Sequence, residues 1–441
     1  MSGWTSEQVL ALAPDTASAS AGRGLANPKK WVSMGGDQRI LWGACQGSGK
    51  NPYQTLIDLQ GPTFSCSCPS RKFPCKHGLG LFLMYADKPS AFKGDTPAWV
   101  AEWASKREQK AEAKTKRATE EDTPEAQAKR AKSQAKTASK REDAVEAGIA
   151  GLSLWLHDLA RQGLAQAQNQ PPRFWDEAAR RLKDAQAPGL ERMVRELGSL
   201  PARGGNWAEQ MLEEMGLLQL AIAGYGRLAT LPAPVQADLR TLIGWTHDQT
   251  TLEAGPSISD TWCVLGQRTE EDERLTVERS WLRGLESGRD ALVVHFAPNQ
   301  QPTRSGLLVG TQWPGVAYFH PSNQPLRALV RPTAAIRPLA AQPAGYPHVA
   351  ALFAAWADAL SRNPWLDRWP ALLQAVTPMY QDSRWVLRDA QGEGVLLDVS
   401  VEHGWQLVAL AGGAPVTIFG EWDGTRFQPL SLWADGQFVV L

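Results

Sequence analysis

Cys66, Cys68, Cys75 and His77 fall within one short segment, Phe64-Ser65-Cys66-Ser67-Cys68-Pro69-Ser70-Arg71-Lys72-Phe73-Pro74-Cys75-Lys76-His77. The skeleton is Cys-x-Cys, a six-residue spacer, then Cys-x-His. Three thiols and an imidazole are a donor set that suits tetrahedral zinc, with Zn–S near ~2.3 Å and Zn–N near ~2.0 Å. On a strand, residues i and i+2 share a face, so Cys66 and Cys68 can present their sulfurs side by side. On a helix the same spacing puts side chains roughly 200° apart. Cys75 and His77 must therefore straddle a turn and the first residues of a helix, with Pro74 fixing the entry. Four protein ligands close the coordination sphere, whereas a catalytic zinc keeps one position open, often beside a Glu. The nearest acids in sequence are Asp58 and Asp87. The pattern predicts one structural zinc ion; buried or redox-active cysteines beside a neutral His are the alternative. Three thiolates leave the centre with a net negative charge, which the helix N-terminus, Arg71, Lys72 and Lys76 are placed to offset.

The elements that must position these ligands can be read from the flanking pattern. Ile40 to Cys45 and Tyr53 to Leu59 read as two strands joined by the turn-rich Gln46-Gly47-Ser48-Gly49-Lys50-Asn51-Pro52. Leu79 to Tyr85 is a dense apolar helix that stops near Asp87-Lys88-Pro89. Strand, strand and helix thus meet at the cysteines. Gly47-Ser48-Gly49-Lys50 is not a phosphate loop: Ala44 and Asn51 fill positions that need Gly and Ser/Thr, and Pro52 follows where a helix should open.

These residues resemble the SWIM zinc finger, a β-β-α unit with Cys-x-Cys, a variable spacer and Cys-x-His. The resemblance covers about residues 30 to 90 and fills all four ligand positions. It implies that Cys66, Cys68, Cys75 and His77 bind zinc, and that the finger contacts a protein partner or DNA. The whole chain is also similar to bacterial SWIM-finger proteins in which a helical region and a β-rich region follow. Such proteins are associated with AAA-type ATPases and von Willebrand-type metal-site proteins, which the resemblance suggests as partners. For DNA, Lys50, Arg71, Lys72 and Lys76 are the expected contacts, with Lys29, Lys30, Trp31, Trp42 and Phe73 near them.

At 441 residues the chain is long enough for several domains, and 46 Lys+Arg balance 46 Asp+Glu. A polyelectrolyte binder is excluded, so any anionic partner must meet a local patch. Residues 104–142 are such a patch, with twelve Lys or Arg against seven acids and no large apolar residue. They are expected to form a charged linker, disordered or a solvent helix. The full expectation is an α+β multidomain protein: a finger domain over 1–103, the linker, a helical bundle over 143–250, and an antiparallel β-rich α+β domain over 251–441. In the bundle, Val145, Ile149, Leu152, Leu156 and Leu159 recur at helical spacing. In the last domain, Thr261 to Leu265, Ala291 to Phe296 and Ser305 to Gly310 read as strands and His348 to Leu360 as a helix. Asp423-Gly424 and Asp435-Gly436 signal hairpins, and Trp365 and Trp369 would share a helix face. The acidic run Glu270 to Glu273 reads as a solvated loop. No fixed-period repeat is evident. The start of the chain has no signal-peptide pattern and no apolar run of ~18 residues, so a cytoplasmic protein without membrane partners is expected. No nucleophile elbow, zinc-hydrolase helix or paired carboxylates occur, so an enzyme is not expected, unless an unrecognised site lies in 255–441.

Overall fold

In the computed structural model, residues 4–441 are described except 15, 38, 48–50, 60–62, 71, 73, 95, 104, 106–123, 273–274 and 299–305, with the backbone alone for 11, 16, 63, 124–135, 271–272 and 298. Two short helices, α1 (Ser6–Ala11) and α2 (Thr16–Leu25), open the chain. They precede an antiparallel sheet in the order β1 (Trp31–Gly36), β2 (Ile40–Cys45), β3 (Tyr53–Asp58), β4 (Thr63–Cys66). Helix α3 (Lys76–Asp87) packs across this sheet, burying Leu79, Leu81, Phe82 and Leu83 against Leu41, Ile57 and Phe64. The finger is therefore larger than two strands and a helix. Its outer strands β1 and β4 and its two leading helices carry weak apolar periodicity; β1 is held by pairing with β2, and β4, α1 and α2 pack on α3.

The bundle begins earlier than its apolar stripe. Helix α4 runs from Pro124 to Gln162 and passes through the stretch expected as linker. Arg141 donates to the Gly244 carbonyl (2.9 Å) and sits over the Trp245 ring, and Glu142 binds Arg240 and the Tyr225 hydroxyl. Their side chains are thus fastened to the bundle. Helices α5 (Pro172–Asp184), α6 (Pro188–Arg203), α7 (Trp207–Gly226) and α8 (Ala233–Ile243) complete it around Leu152, Leu182, Val194, Leu197 and Leu218.

The C-terminal half is one topology used twice. Strands β5 (Ser257–Asp272), β6 (Leu275–Gly284), β7 (Asp290–Pro298), β8 (Thr311–Phe319) and β9 (Ala328–Pro332) form the first unit, with β10 (Arg337–Pro338) on the edge of β8. The first strand pairs with the second and fourth, and a parallel bridge between Leu292 and Arg327 brings the third to the fifth. After helix α9 (Val349–Arg362), strands β11 (Trp369–Gln381), β12 (Arg384–Arg388), β13 (Gly394–Leu397), β14 (Val416–Trp422) and β15 (Arg426–Ala434) repeat the order, with helix α10 (Val401–Ala411) between third and fourth and a final β16 (Gln437–Val440). Here β13 pairs parallel with β15 through Leu396–Arg426 and Leu397–Phe427, closing the sheet. Each first strand carries an irregularity, between Val264 and Gly266 and between Leu373 and Val376. A five-stranded Greek-key barrel of this kind has the strand order of OB-type barrels.

The Asp-Gly hairpins and the α9 helix, whose first turn is capped by His348, lie where the sequence places them. Three expectations fail. Residues 306–308 have no regular secondary structure and β8 starts only at Thr311. Trp365 lies in a turn while Trp369 opens β11, so they share no helix. The acidic run is strand as far as Asp272, with Glu273 outside the described residues. Glu270 is held by Arg268 on its own strand, Arg279 on the next and the distant Arg368, partners that the run of acids alone does not reveal.

The two barrels meet along a polar seam inside an apolar interface. Glu421 on β14, only 2% exposed, accepts from Trp281 Nε1 at 2.7 Å and pairs with Arg368 at 2.7 Å. Removing one partner of a buried pair strands the other, at a cost of about 3 kcal/mol or more. Glu421→Ala should lower the urea stability of the C-terminal half by about that amount, and a loss below about 1 kcal/mol would show the seam to be dispensable.

The bundle docks on the first barrel through Asp238, which accepts from Asn323 N (2.9 Å), and on the segment between α9 and β11, where Asn363 Nδ2 donates to Asp238 (3.1 Å) and Trp365 Nε1 to the Leu217 carbonyl. Beside this joint, His247 and His320 lie edge to face, 5.6 Å between ring centres. Burial, then Arg327 and His247, push the His320 imidazole down to about 4, and burial lowers His247 as well. A lowered imidazole stays neutral in the fold while the unfolded chain, near 6.5, takes up protons. Stability is therefore complete above pH ~6.5 and falls as pH drops toward ~4. Urea midpoints between pH 7 and 4.5 should fall less steeply for His320→Gln than for the parent.

Candidate metal centre

Strand register brings the first ligand into place. Thr55 on β3 lies opposite Cys66 at the end of β4, and Gln54 and Ser67 exchange backbone and side-chain hydrogen bonds of 3.0 Å just beyond it. Cys68 follows in a bend past the strand end, so the two sulfurs converge by a turn of the chain and not by strand alternation alone. Cys75 is the N-cap of α3, in extended conformation, and His77 is its second helical residue. This is the straddling arrangement that the Cys-x-His spacing demands.

One ligand atom from each of Cys66, Cys68, Cys75 and His77 lies within 4.8 Å of the others. His77 Nδ1 is 3.8 Å from the Cys66 sulfur and 4.0 Å from the Cys75 sulfur. Tetrahedral zinc with ordinary bond lengths needs sulfur–nitrogen separations of about 3.6 Å and sulfur–sulfur separations of about 3.8 Å. The donors fit zinc in type and number, and their spacing needs only a slight contraction. Among the described residues no other group of His, Cys, Asp or Glu converges in this way.

The surroundings hold the ligands in place. Cys75 and His77 are buried, Tyr53 packs on the imidazole at 5.0 Å between ring centres, and the Thr55 hydroxyl lies 3.3 Å from the Cys66 sulfur. Such outer contacts orient ligands and tune a metal site. Gly78 has to be glycine: a Cβ there would stand 2.7 Å from the Phe64 ring, which seals the first turn of α3 against β4. Without metal the thiols share their protons unevenly. The hydrogen bond to Cys75, then burial, push Cys66 up to about 12, while Cys75 is lowered chiefly by that same bond from Cys66. Burial raises Cys68. Thr55, Tyr53 and Phe64 are the parts of the site that sequence reasoning missed; the β3–β4 register would have revealed Thr55.

The basic rim is only partly assembled. Lys72 and Lys76 are exposed beside the site, while Lys50 and Arg71, like Phe73, lie outside the described residues. Trp31 and Trp42 are core side chains, 7% and 6% exposed, and present no stacking surface. Lys30 is tied to the Gly24 carbonyl at 2.8 Å. Cys45 stays out of the cluster, its sulfur 3.6 Å from the Lys30 carbonyl. In the C-terminal half a cavity of about 330 Å³ is lined by Arg283, Arg289, Asp290, Tyr346 and Trp369, but its polar groups bond one another: Arg283 to Asp290, Trp369 Nε1 to the Tyr346 hydroxyl.

A closed Cys₃His centre between a strand end and a helix N-terminus defines a zinc-finger protein whose metal is structural. Residues 57–86 match the SWIM zinc finger, and residues 140–243 match the SWIM-associated four-helix bundle domain. The chain thus carries a SWIM-type zinc finger followed by a SWIM-associated helical bundle. Searches of curated proteins and of solved structures give no match. Among the described residues no helix is long and apolar enough to cross a membrane.

Zinc bound to such a site supplies folding energy, of order 10 kcal/mol in isolated fingers. Purified protein should contain about one zinc per chain. Cys75→Ala should abolish it and remove the unfolding transition of the first domain while the bundle and barrels still melt cooperatively. A variant that keeps its zinc, or a parent that folds without any, would sink this assignment.

Proposed function

We propose that the chain is a protein-interaction adaptor in which zinc fixes a docking surface and does no chemistry itself. The observation that carries this reading is the filled coordination sphere: four protein donors leave no position for water or substrate. The metal then serves to hold β4, the following loop and the start of α3 in one arrangement, with Lys72 and Lys76 displayed beside it. The mutual pairing of Arg283 with Asp290 and of Trp369 with Tyr346 in the C-terminal cavity favours binding over an enzyme reading for residues 255–441. The AAA-type ATPases and von Willebrand-type proteins suggested by the family resemblance are the first partners to try.

DNA is the second reading, favoured by the exposure of Lys72 and Lys76 on the rim. It makes a distinct demand, because phosphate contacts lose affinity steeply with salt. Affinity capture with the full chain, zinc-loaded against Cys75→Ala, separates the readings. A protein retained only by the zinc-loaded form supports the adaptor; identical capture by both forms, together with salt-sensitive duplex binding lost in Lys72→Glu/Lys76→Glu, would replace it with the DNA reading.

A further inference from the structure

The second strand of each barrel carries the same short pattern. In β6 it is Arg279-Ser280-Trp281-Leu282-Arg283, and in β12 it is Arg384-Trp385-Val386-Leu387-Arg388. Leu282 and Leu387 point into their barrels and are buried, so alternation turns Arg-x-apolar-x-Arg outward in both. The pattern ends at the same hairpin each time: Arg283 lies opposite Asp290, the first residue of β7, and Arg388 lies opposite Gly394, the first residue of β13.

In the first barrel every outward group has a partner. Arg283 is bound to both carboxylate oxygens of Asp290, Arg279 to Glu270, and Trp281 Nε1 to Glu421 of the second barrel, which covers this face. In the second barrel the position of Asp290 is a glycine, and among the described residues no ion pair holds Arg384 or Arg388. Arg388 Nε is buried without a hydrogen-bond partner. Cross-strand register extends the face, with Met379 opposite Val386, Val386 opposite Leu396, and Leu396 opposite Arg426. The result is a half-buried aliphatic row edged by Arg384, Arg388 and Arg426, the last 3.9 Å from Asp398. Of the other nearby acids, Glu393 is exposed in the β12–β13 turn, while Asp389 and Asp423 are engaged by backbone N–H groups.

We propose that the outer face of β12 and β13 docks a segment of a partner protein that alternates acidic and aliphatic side chains. Its carboxylates pair with Arg384, Arg388 and Arg426, and its aliphatic groups lie on Met379, Val386 and Leu396. The inference rests on the adaptor reading and gives it a second surface, remote in sequence from the zinc. The occupant is chosen by charge complementarity and by the first barrel, where this pattern is satisfied by carboxylates and apolar contact. Single-stranded nucleic acid would need aromatic platforms on which bases stack, and this row has none.

The test uses the full zinc-loaded chain and three fluorescein-labelled probes of equal length: a peptide alternating Glu and Leu, the same peptide with Gln for Glu, and oligothymidine. Anisotropy should show the Glu peptide bound, the Gln peptide bound much more weakly, and Arg384→Ala/Arg388→Ala weakening the Glu peptide about tenfold, roughly two surface charge pairs. Because Arg388 is half-buried, Arg384→Ala/Arg426→Ala provides a second variant on exposed positions, with zinc content and the urea midpoint confirming its fold. Equal binding of the Glu and Gln peptides, unchanged binding by both variants, or tighter binding of oligothymidine with the same arginine dependence would each overturn the proposal. If a partner captured by the zinc-loaded chain is held equally by both arginine variants, the adaptor reading stands and this surface falls.

Discussion

Small β-barrels enclose too little apolar area to be comfortably stable alone, because the fraction of surface buried falls with domain size. The C-terminal half answers this by fusing two barrels through their outer faces. Trp281, Cys263 and Leu265 of the first barrel join Phe419, Leu430 and Leu432 of the second in one apolar cluster, while Trp262, Val264 and Trp313 fill the first barrel from within. The seam could not be wholly apolar, since the indole N–H of Trp281 must find an acceptor once buried. Glu421 meets that need, and its charge in turn requires Arg368 and Arg268. The bundle then rests on this fused unit through Asp238 and Trp365.

The finger meets the same shortage of core differently. Its sheet has α3 on one face and a short helical segment bearing Val100 on the other, and the join between β4 and α3 is a loop made mostly of small, polar and proline residues. Metal bonds replace the missing apolar contacts at that join. The ends of the loop are pinned from both sides, by Thr55 behind Cys66 and by Phe64 against Gly78. A centre so enclosed is well suited to fixing backbone and poorly suited to admitting a substrate.

How much of this could be read from the chain depended on the range of the interaction. The four ligands were legible because ligand chemistry is written in residue type and local spacing. The Asp-Gly turns were legible for the same reason, as was the helix after His348. Parallel closure of β13 on β15 spans about thirty residues and leaves no local mark, so the barrels read only as hairpins and scattered strands. Glu270 looked like a solvated charge because its three arginines come from its own strand, the next strand and a segment nearly a hundred residues away. The charged stretch before the bundle looked like a spacer because its stripe is missing, yet Arg141 and Glu142 are fixed by pairing and not by apolar burial. Thr55 looked like an ordinary strand residue until β4 was set beside it.

The balance of 46 basic and 46 acidic residues conceals how unevenly the charges are used. In the first barrel arginines and carboxylates face each other at short range and cancel. In the second, Arg388 lies opposite a glycine where its counterpart Arg283 has an aspartate, so its charge remains available to something outside the chain. Duplication of a barrel lets one copy spend its outer face on intramolecular packing and the other present that face to solvent. Such a division suits an adaptor, because the face was already built to accept carboxylates and apolar side chains before any partner met it. Specificity then falls to the exposed copy, where losing one carboxylate from the third strand turns a structural pair into an unfilled site. The zinc finger and this face would act as two separate contacts on one chain, and a partner engaging both gains avidity from their linkage.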